Sequence, residues 1–174
     1  MQIRKTGMAD VETVLAIYHT AQNYMREAGN AAQWGTAYPD RMQLEADMRN
    51  GCSYVGTDAE GRVRMTFAFL TGEDPTYRRI EQGAWLNAEP YGVIHRIASD
   101  GTVQGVFAEC LRYCLKQTGN IRIDTHKNNR KMRYLLQKYG FTECGIIFTH
   151  DGTQRIAYQR TAQRGADGSA KEMV

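Results

Sequence analysis

A chain of 174 residues, 42% hydrophobic and 24% charged, has the length and balance of one globular domain with a proper core. Its net charge of +3, from 22 basic and 19 acidic residues, is too mild to argue for a nucleic-acid partner and would not repel a small anionic ligand. No apolar run approaches membrane-spanning length and the opening stretch lacks a signal-peptide core, so we expect a cytoplasmic protein with no membrane partner.

Residues 1–5 read as a short strand. In residues 8–29, Val11, Val14, Leu15, Tyr18 and Met25 recur at helical spacing, with Asp10 as the expected cap. A loop closed by Pro39 follows, and Asp40 caps a second helix that Gly51 stops. Residues 52–70 form a hairpin, with Val63, Met65, Phe67 and Phe69 alternating against polar neighbours and Asp-Ala-Glu-Gly at the turn. Residues 72–90 carry no clear period. Residues 91–99 are a strand, 103–119 a helix, 121–125 a buried strand, and 128–140 a helix with Met132, Leu135, Leu136 and Tyr139 on one face. Residues 141–160 make a hairpin turned by Asp151-Gly152, and a polar, small-residue tail from 161 to 174 is expected to be flexible. Four cysteines (Cys52, Cys110, Cys114 and Cys144) show no CxxC spacing and suit core positions in a reducing compartment. Four histidines form no HExxH pattern, so no metal is expected.

The stretch Ser99-Asp100-Gly101-Thr102-Val103-Gln104-Gly105 leads straight into an apolar helical run. A helix begins with unpaired N–H groups and a partial positive charge, and a glycine there lets an anion approach the backbone. An ordinary strand-to-helix turn is the bland alternative. Neither GxxxxGK[ST] nor GxGxxG is present.

The element order, with the segments "GVIHRIASDGTVQGVFAECLRY" and "NNRKMRYLLQKYGF", resembles the GNAT superfamily of acetyl-CoA-dependent N-acetyltransferases over residues 1–160. The resemblance implies an α/β fold: one GNAT-like domain over 1–160, with a mixed sheet of about seven strands, helices on both faces, and the order β-α-α-β-β-β-α-β-α-β-β. It implies acetyl-CoA as co-substrate, with no metal, bound by Ile97, Ala98 and Ser99 along the fourth strand. Val103, Gln104, Gly105, Val106 and Phe107 at the pyrophosphate loop, and Asn129 and Met132 on the later helix, complete that set. It also implies that an amine of a small molecule or peptide attacks the thioester directly in a ternary complex, and it admits a homodimer. Two departures stand out. Phe107 occupies a place where the family carries Gly or Ala, and is expected to turn into the core while its backbone still donates. The family's acid tyrosine falls at Leu136, which cannot donate a proton. Tyr139 is the nearest substitute on that face, with core packing as the other reading. These departures keep a non-catalytic acyl-CoA-binding module open as the alternative function.

Neutralising a lysine-like amine at pH 7 costs about 4.6 kcal/mol and an α-amine about 1.4 kcal/mol, so a general base matters. His95 and His126 are the candidates; the alternatives are a hydrogen-bonded, partly buried histidine and a helix-opening residue, respectively. Strand alternation puts His95 and Arg96 on opposite faces, and Asp124 and Thr125 read as structural. Gln33, Trp34, Tyr38, Trp85 and Tyr91 are the candidate acceptor-site residues, with capping of the core as the bland reading of the tryptophans. Glu73, Asp74, Glu81 and Glu89 are a weak attraction for a cationic amine.

Overall fold

The computed structural model describes residues 1–162. Adjacent residues of a strand face opposite ways, and here that gives each face of the sheet its own core, with a third cluster of Tyr77, Val93, Ile147 and Ala157 beside them. Tyr54 packs in one cluster with Phe67, Ile94, Phe107 and Leu136, while its neighbour Val55 packs in another with Val14, Tyr18 and Leu44. The sheet between the clusters has seven strands: β1 (Gln2–Lys5), β2 (Ser53–Thr57), β3 (Val63–Thr71), β4 (Gly92–Ser99), β5 (Asn120–Thr125), β6 (Thr142–Phe148) and β7 (Gln154–Thr161). Their order is β1-β2-β3-β4-β5-β7-β6. Every pairing is antiparallel except β4 with β5. Helices α1 (Val11–Glu27) and α2 (Arg41–Arg49) cover the Val55 face; α3 (Val106–Leu115) and α4 (Arg130–Lys138) cover the Tyr54 face. The expected element order and mixed seven-stranded sheet are therefore present.

Local chemistry sets the boundaries. Asp40 accepts the Gln43 N–H at 2.8 Å and opens α2, while Asn129 accepts the Met132 N–H at 3.1 Å and opens α4. Asp10 departs from expectation. Its carboxylate takes the Gly7 N–H and both terminal nitrogens of Arg4, and it caps no helical N–H, because a 3-10 turn (Met8–Asp10) precedes α1. Thr161 belongs to β7, and the Ala162 N–H bonds to the Gly119 carbonyl, so the described domain extends past 160. The rest of the expected tail lies outside the described residues. All four cysteines are buried and free, as core positions require. Among the described residues no helix is long and apolar enough to cross a membrane.

Residues 72–90, which show no period, hold a 3-10 turn (Pro75–Tyr77) and lie against β6 and the start of β5. Glu81 bridges to Ile146, and Gly83 sits so close to the Cys144 carbonyl that a Cβ would fall 2.1 Å from its oxygen. Of the acidic residues in this segment, Asp74 alone reaches the cavity described below.

Candidate active site

Strands β4 and β5 pair at only two positions, Gly92 with Ile121 and Val93 with Arg122. Beyond them the strands diverge. Further along, β4 carries a bulge against β3: Ala98 opposes Thr66 and His95 opposes Ala68, so Arg96 and Ile97 together face Phe67. Arg96 has φ 52°, a left-handed conformation that costs a non-glycine residue about 1–3 kcal/mol. Asp47 on α2 holds it there. The guanidinium gives Nε to Oδ2 at 2.7 Å and Nη2 to Oδ1 at 2.8 Å, and Nη1 to the Tyr38 hydroxyl at 3.1 Å. The bulge breaks the alternation, so His95 and Arg96 are not on opposite faces. Both line a cavity of about 700 Å³ at the split, with Ile123, Asp124 and Thr125 of β5 on the other side.

His95 is set among acidic partners. Its Nε2 lies 2.7 Å from Asp74 Oδ2, and its Nδ1 lies 3.9 Å from Asp124 Oδ1. Asp74 caps the 3-10 turn, where its Oδ1 accepts the Thr76 N–H at 2.8 Å and the Thr76 hydroxyl at 2.6 Å. Burial opposes its ionisation, but the hydrogen bonds from His95 and Thr76 win and hold the carboxyl well below its ordinary value. An ionised carboxylate only accepts, so Nε2 carries the proton. In the neutral ring the free lone pair is then on Nδ1, toward Asp124. Asp124 takes the Tyr77 hydroxyl on Oδ1 at 2.8 Å. Burial and the adjacent Asp124 push the Tyr77 hydroxyl well up, so it stays a donor. Asp124, expected to be structural, thus stands beside the candidate base.

Of the acceptor-site candidates, Gln33, Trp34 and Tyr38 line the cavity. Gln33 Oε1 accepts from Asn129 Nδ2 at 3.0 Å, and Trp34 meets Tyr18 edge-on at 5.9 Å between ring centres, so it caps a core and walls the cavity at once. Trp85 and Tyr91 do not line it. They lie over the Arg122 guanidinium at 4.1 and 3.8 Å, a buried cation whose partners among the described residues are main-chain and aromatic. Tyr91 still serves the site indirectly, since its hydroxyl accepts the Asp74 N–H at 3.2 Å.

Among the catalytic candidates, only His95 lines the cavity. His126 lies outside the walls, with Nδ1 accepting the Asn128 N–H at 3.2 Å in the turn before α4, whose cap is Asn129. Burial, then the positive charges of Arg155 and Lys127, push its pKa down. Tyr139 packs on Phe107 at 5.4 Å between ring centres, also outside the walls, so the core-packing reading holds. Of the coenzyme candidates, Ile97, Asn129 and Met132 line the cavity. Ala98 is buried on the α1 side and Ser99 ends β4. Residues 103–107 lie outside the cavity walls, at the mouth of α3. Gly105 there has φ 74° and open space where a Cβ would stand. Phe107 turns into the core, as expected, so its ring does not cover the helix's open N–H groups.

Sequence reasoning missed Asp47, Tyr77 and Arg155. Asp74 carried a legible local signal, since Asp-Pro-Thr is a cap followed by proline at the first helical position. Its meeting with His95 had none. Arg155 shares the phase of the buried Ala157 and Gln159 on β7, a phase that does not announce burial because it is partly polar.

The fold that carries this split, bulge and glycine-opened helix is that of the GNAT superfamily, as the likeness to solved structures shows. No protein-family profile and no curated protein matches the sequence. Solved structures do. An acetyltransferase of the GNAT family from Streptococcus agalactiae is 28% identical, with TM-score 0.82 over 93% of this chain and 95% of that one. A GNAT-family acetyltransferase from Listeria monocytogenes is 16% identical, with TM-score 0.68 over 92% of this chain and 94% of that one. A GNAT-superfamily phosphinothricin acetyltransferase from Sinorhizobium meliloti, in complex with acetyl-CoA, is 16% identical, with TM-score 0.59 over 99% of this chain and 94% of that one. Among the described residues no cluster of His, Cys, Asp or Glu could hold a metal ion.

Proposed function

We propose that this chain moves an acetyl group from acetyl-CoA to a primary amine in a ternary complex. The carrying observation is the split of β4 from β5 with His95, bonded to an ionised Asp74, on its wall. The likeness to acetyltransferases, one of them in complex with acetyl-CoA, supports the donor.

The residues present fit the coenzyme. The freed edge of β4 at residues 97–99 offers main-chain groups to an extended pantetheine arm, as an added strand would. The open N–H groups at Gly105 and the first turn of α3 suit a pyrophosphate. The acceptor arrives as an ammonium and gives one proton to Nδ1 of His95, while Asp74 holds the opposite edge of the ring. The neutral nitrogen attacks the thioester carbon; the carbon–sulfur bond breaks, and the thiolate leaves with the electron pair and takes up the second amine proton. The packing of Tyr139 against Phe107 removes one acid and favours the acyl-CoA-binding module as the second reading. A histidine fixed by an ionised carboxylate has no use in such a module, and this favours the enzyme.

Calorimetric titration with acetyl-CoA tests the donor. Wild type binds in the micromolar range. Gly105→Glu, which puts bulk and negative charge at the α3 mouth, stays folded and loses binding. Absence of binding by wild type ends the reading.

A further inference from the structure

We infer that the acceptor is a free amino acid, and that Arg155 binds its carboxylate. This rests on the acetyltransferase reading and narrows its acceptor from amines in general to one class.

Two arginines stand in the cavity wall, both with side chains at least nine-tenths buried. They are not equivalent. Arg96 is closed off by a bidentate carboxylate and by Tyr38. Arg155 has five N–H bonds, as every guanidinium does. One goes to the Gln33 carbonyl at 3.0 Å and one to the Gln154 carbonyl at 3.2 Å. The other three have no acceptor among the described residues. The nearest carboxylate oxygen, Asp124 Oδ2, is 3.9 Å from Nε, beyond hydrogen-bond reach, and the other oxygen of Asp124 already takes the Tyr77 hydroxyl. Burying a guanidinium is costly unless it is paired and hydrogen-bonded, and its fork matches a carboxylate.

Asp124 fixes what must lie beside that carboxylate. It stands 3.9 Å from Arg155 Nε on one side and 3.9 Å from His95 Nδ1 on the other. An anion site and the proton acceptor for an amine are therefore neighbours around one aspartate. In an α-amino acid the amine and the carboxylate share one carbon. Seated here, its carboxylate takes the free N–H bonds of Arg155 and its ammonium lies between Asp124 and His95. A simple amine leaves Arg155 unmatched. A peptide amino terminus has an amide where the carboxylate is needed.

The test compares each of the twenty L-amino acids with its own carboxamide, which keeps the shape and the amine and removes the charge. At least one acid is acetylated with a kcat/KM about 10- to 100-fold above its amide, the range expected for hydrogen bonds to a charged group. In Arg155→Met that ratio falls close to one. Should the variant not fold, the wild-type ratio decides alone. Acetylation of no amino acid, or equal or better turnover of the amides, overturns the inference. Acetyl-CoA titration of the same preparation separates the two readings. Coenzyme binding without acid preference sinks only the amino-acid inference, whereas no coenzyme binding removes the acetyltransferase reading beneath it.

Discussion

Asp74 acts on His95 through a single hydrogen bond, so its removal should be felt in chemistry before it is felt in binding. In Asp74→Asn the amide can donate to Nε2 and move the ring proton to Nδ1, the atom that must accept. We expect kcat/KM for the amine to fall by about 10²–10⁴, the usual weight of a positioned base, while the acetyl-CoA dissociation constant stays within about twofold. A parallel loss of coenzyme affinity would instead mark Asp74 as part of the scaffold. His126 makes a prediction of the opposite kind, about stability alone. The folded chain holds its pKa below the ordinary 6.5, so the unfolded chain binds more protons there. Its contribution is complete above about pH 6.5 and is lost as pH falls through the lower folded value. Urea midpoints of His126→Gln should therefore fall less steeply than wild type between pH 7 and 5. At this scale the sequence carried His95, Gly105, Asn129 and the inward turn of Phe107, each tied to a local pattern. It could not carry Asp74 against His95, or Asp124 between His95 and Arg155, because those meetings join segments that no periodicity links.

The elements themselves were legible because their signals are local: alternation in β3, the Asp151-Gly152 turn between β6 and β7, and the Asp40 cap on α2. The bulge in β4 was not. Reading "VIHRIAS" as a regular strand puts Arg96 opposite His95, and nothing within the segment says otherwise. The cause lies on α2, where Asp47 pulls Arg96 to the acceptor side and lets Ile97 and Ala98 resume the alternation in the other phase. Asp47→Ala leaves a nine-tenths-buried guanidinium without its carboxylate and should cost about 3–5 kcal/mol by urea denaturation. Adding Arg96→Met removes the stranded charge and should restore a large part of that loss. If the double variant is no more stable than the single, the ion pair is not what holds α2 to the bulge.

Across the whole molecule the sheet is two half-sheets, β1 to β4 and β5 with β7 and β6, joined by backbone pairing at two positions only. The closed end of the split is tied by a polar knot. Gln159 Nε2 donates to Asn120 Oδ1 at 2.7 Å and to Asn87 Oδ1 at 3.0 Å, while Asn120 Nδ2 reaches the Asn87 side chain and the carbonyls of Glu89 and Pro90. Such buried networks are strong only when every member is satisfied, so the knot fixes one end and leaves the other end free to receive a ligand. A coenzyme in the split bridges what the backbone does not. At a hundredfold excess over its dissociation constant it should add about 2.7 kcal/mol to stability. The distribution of that gain is the sharper test. Amide hydrogen exchange with acetyl-CoA present should slow most at residues 94–99 of β4, at 105–108 where α3 opens, and at 123–125 of β5. The β1–β2 edge should change little. Protection spread evenly over the sheet would mean that the two halves already behave as one body and that the split is not where the ligand binds.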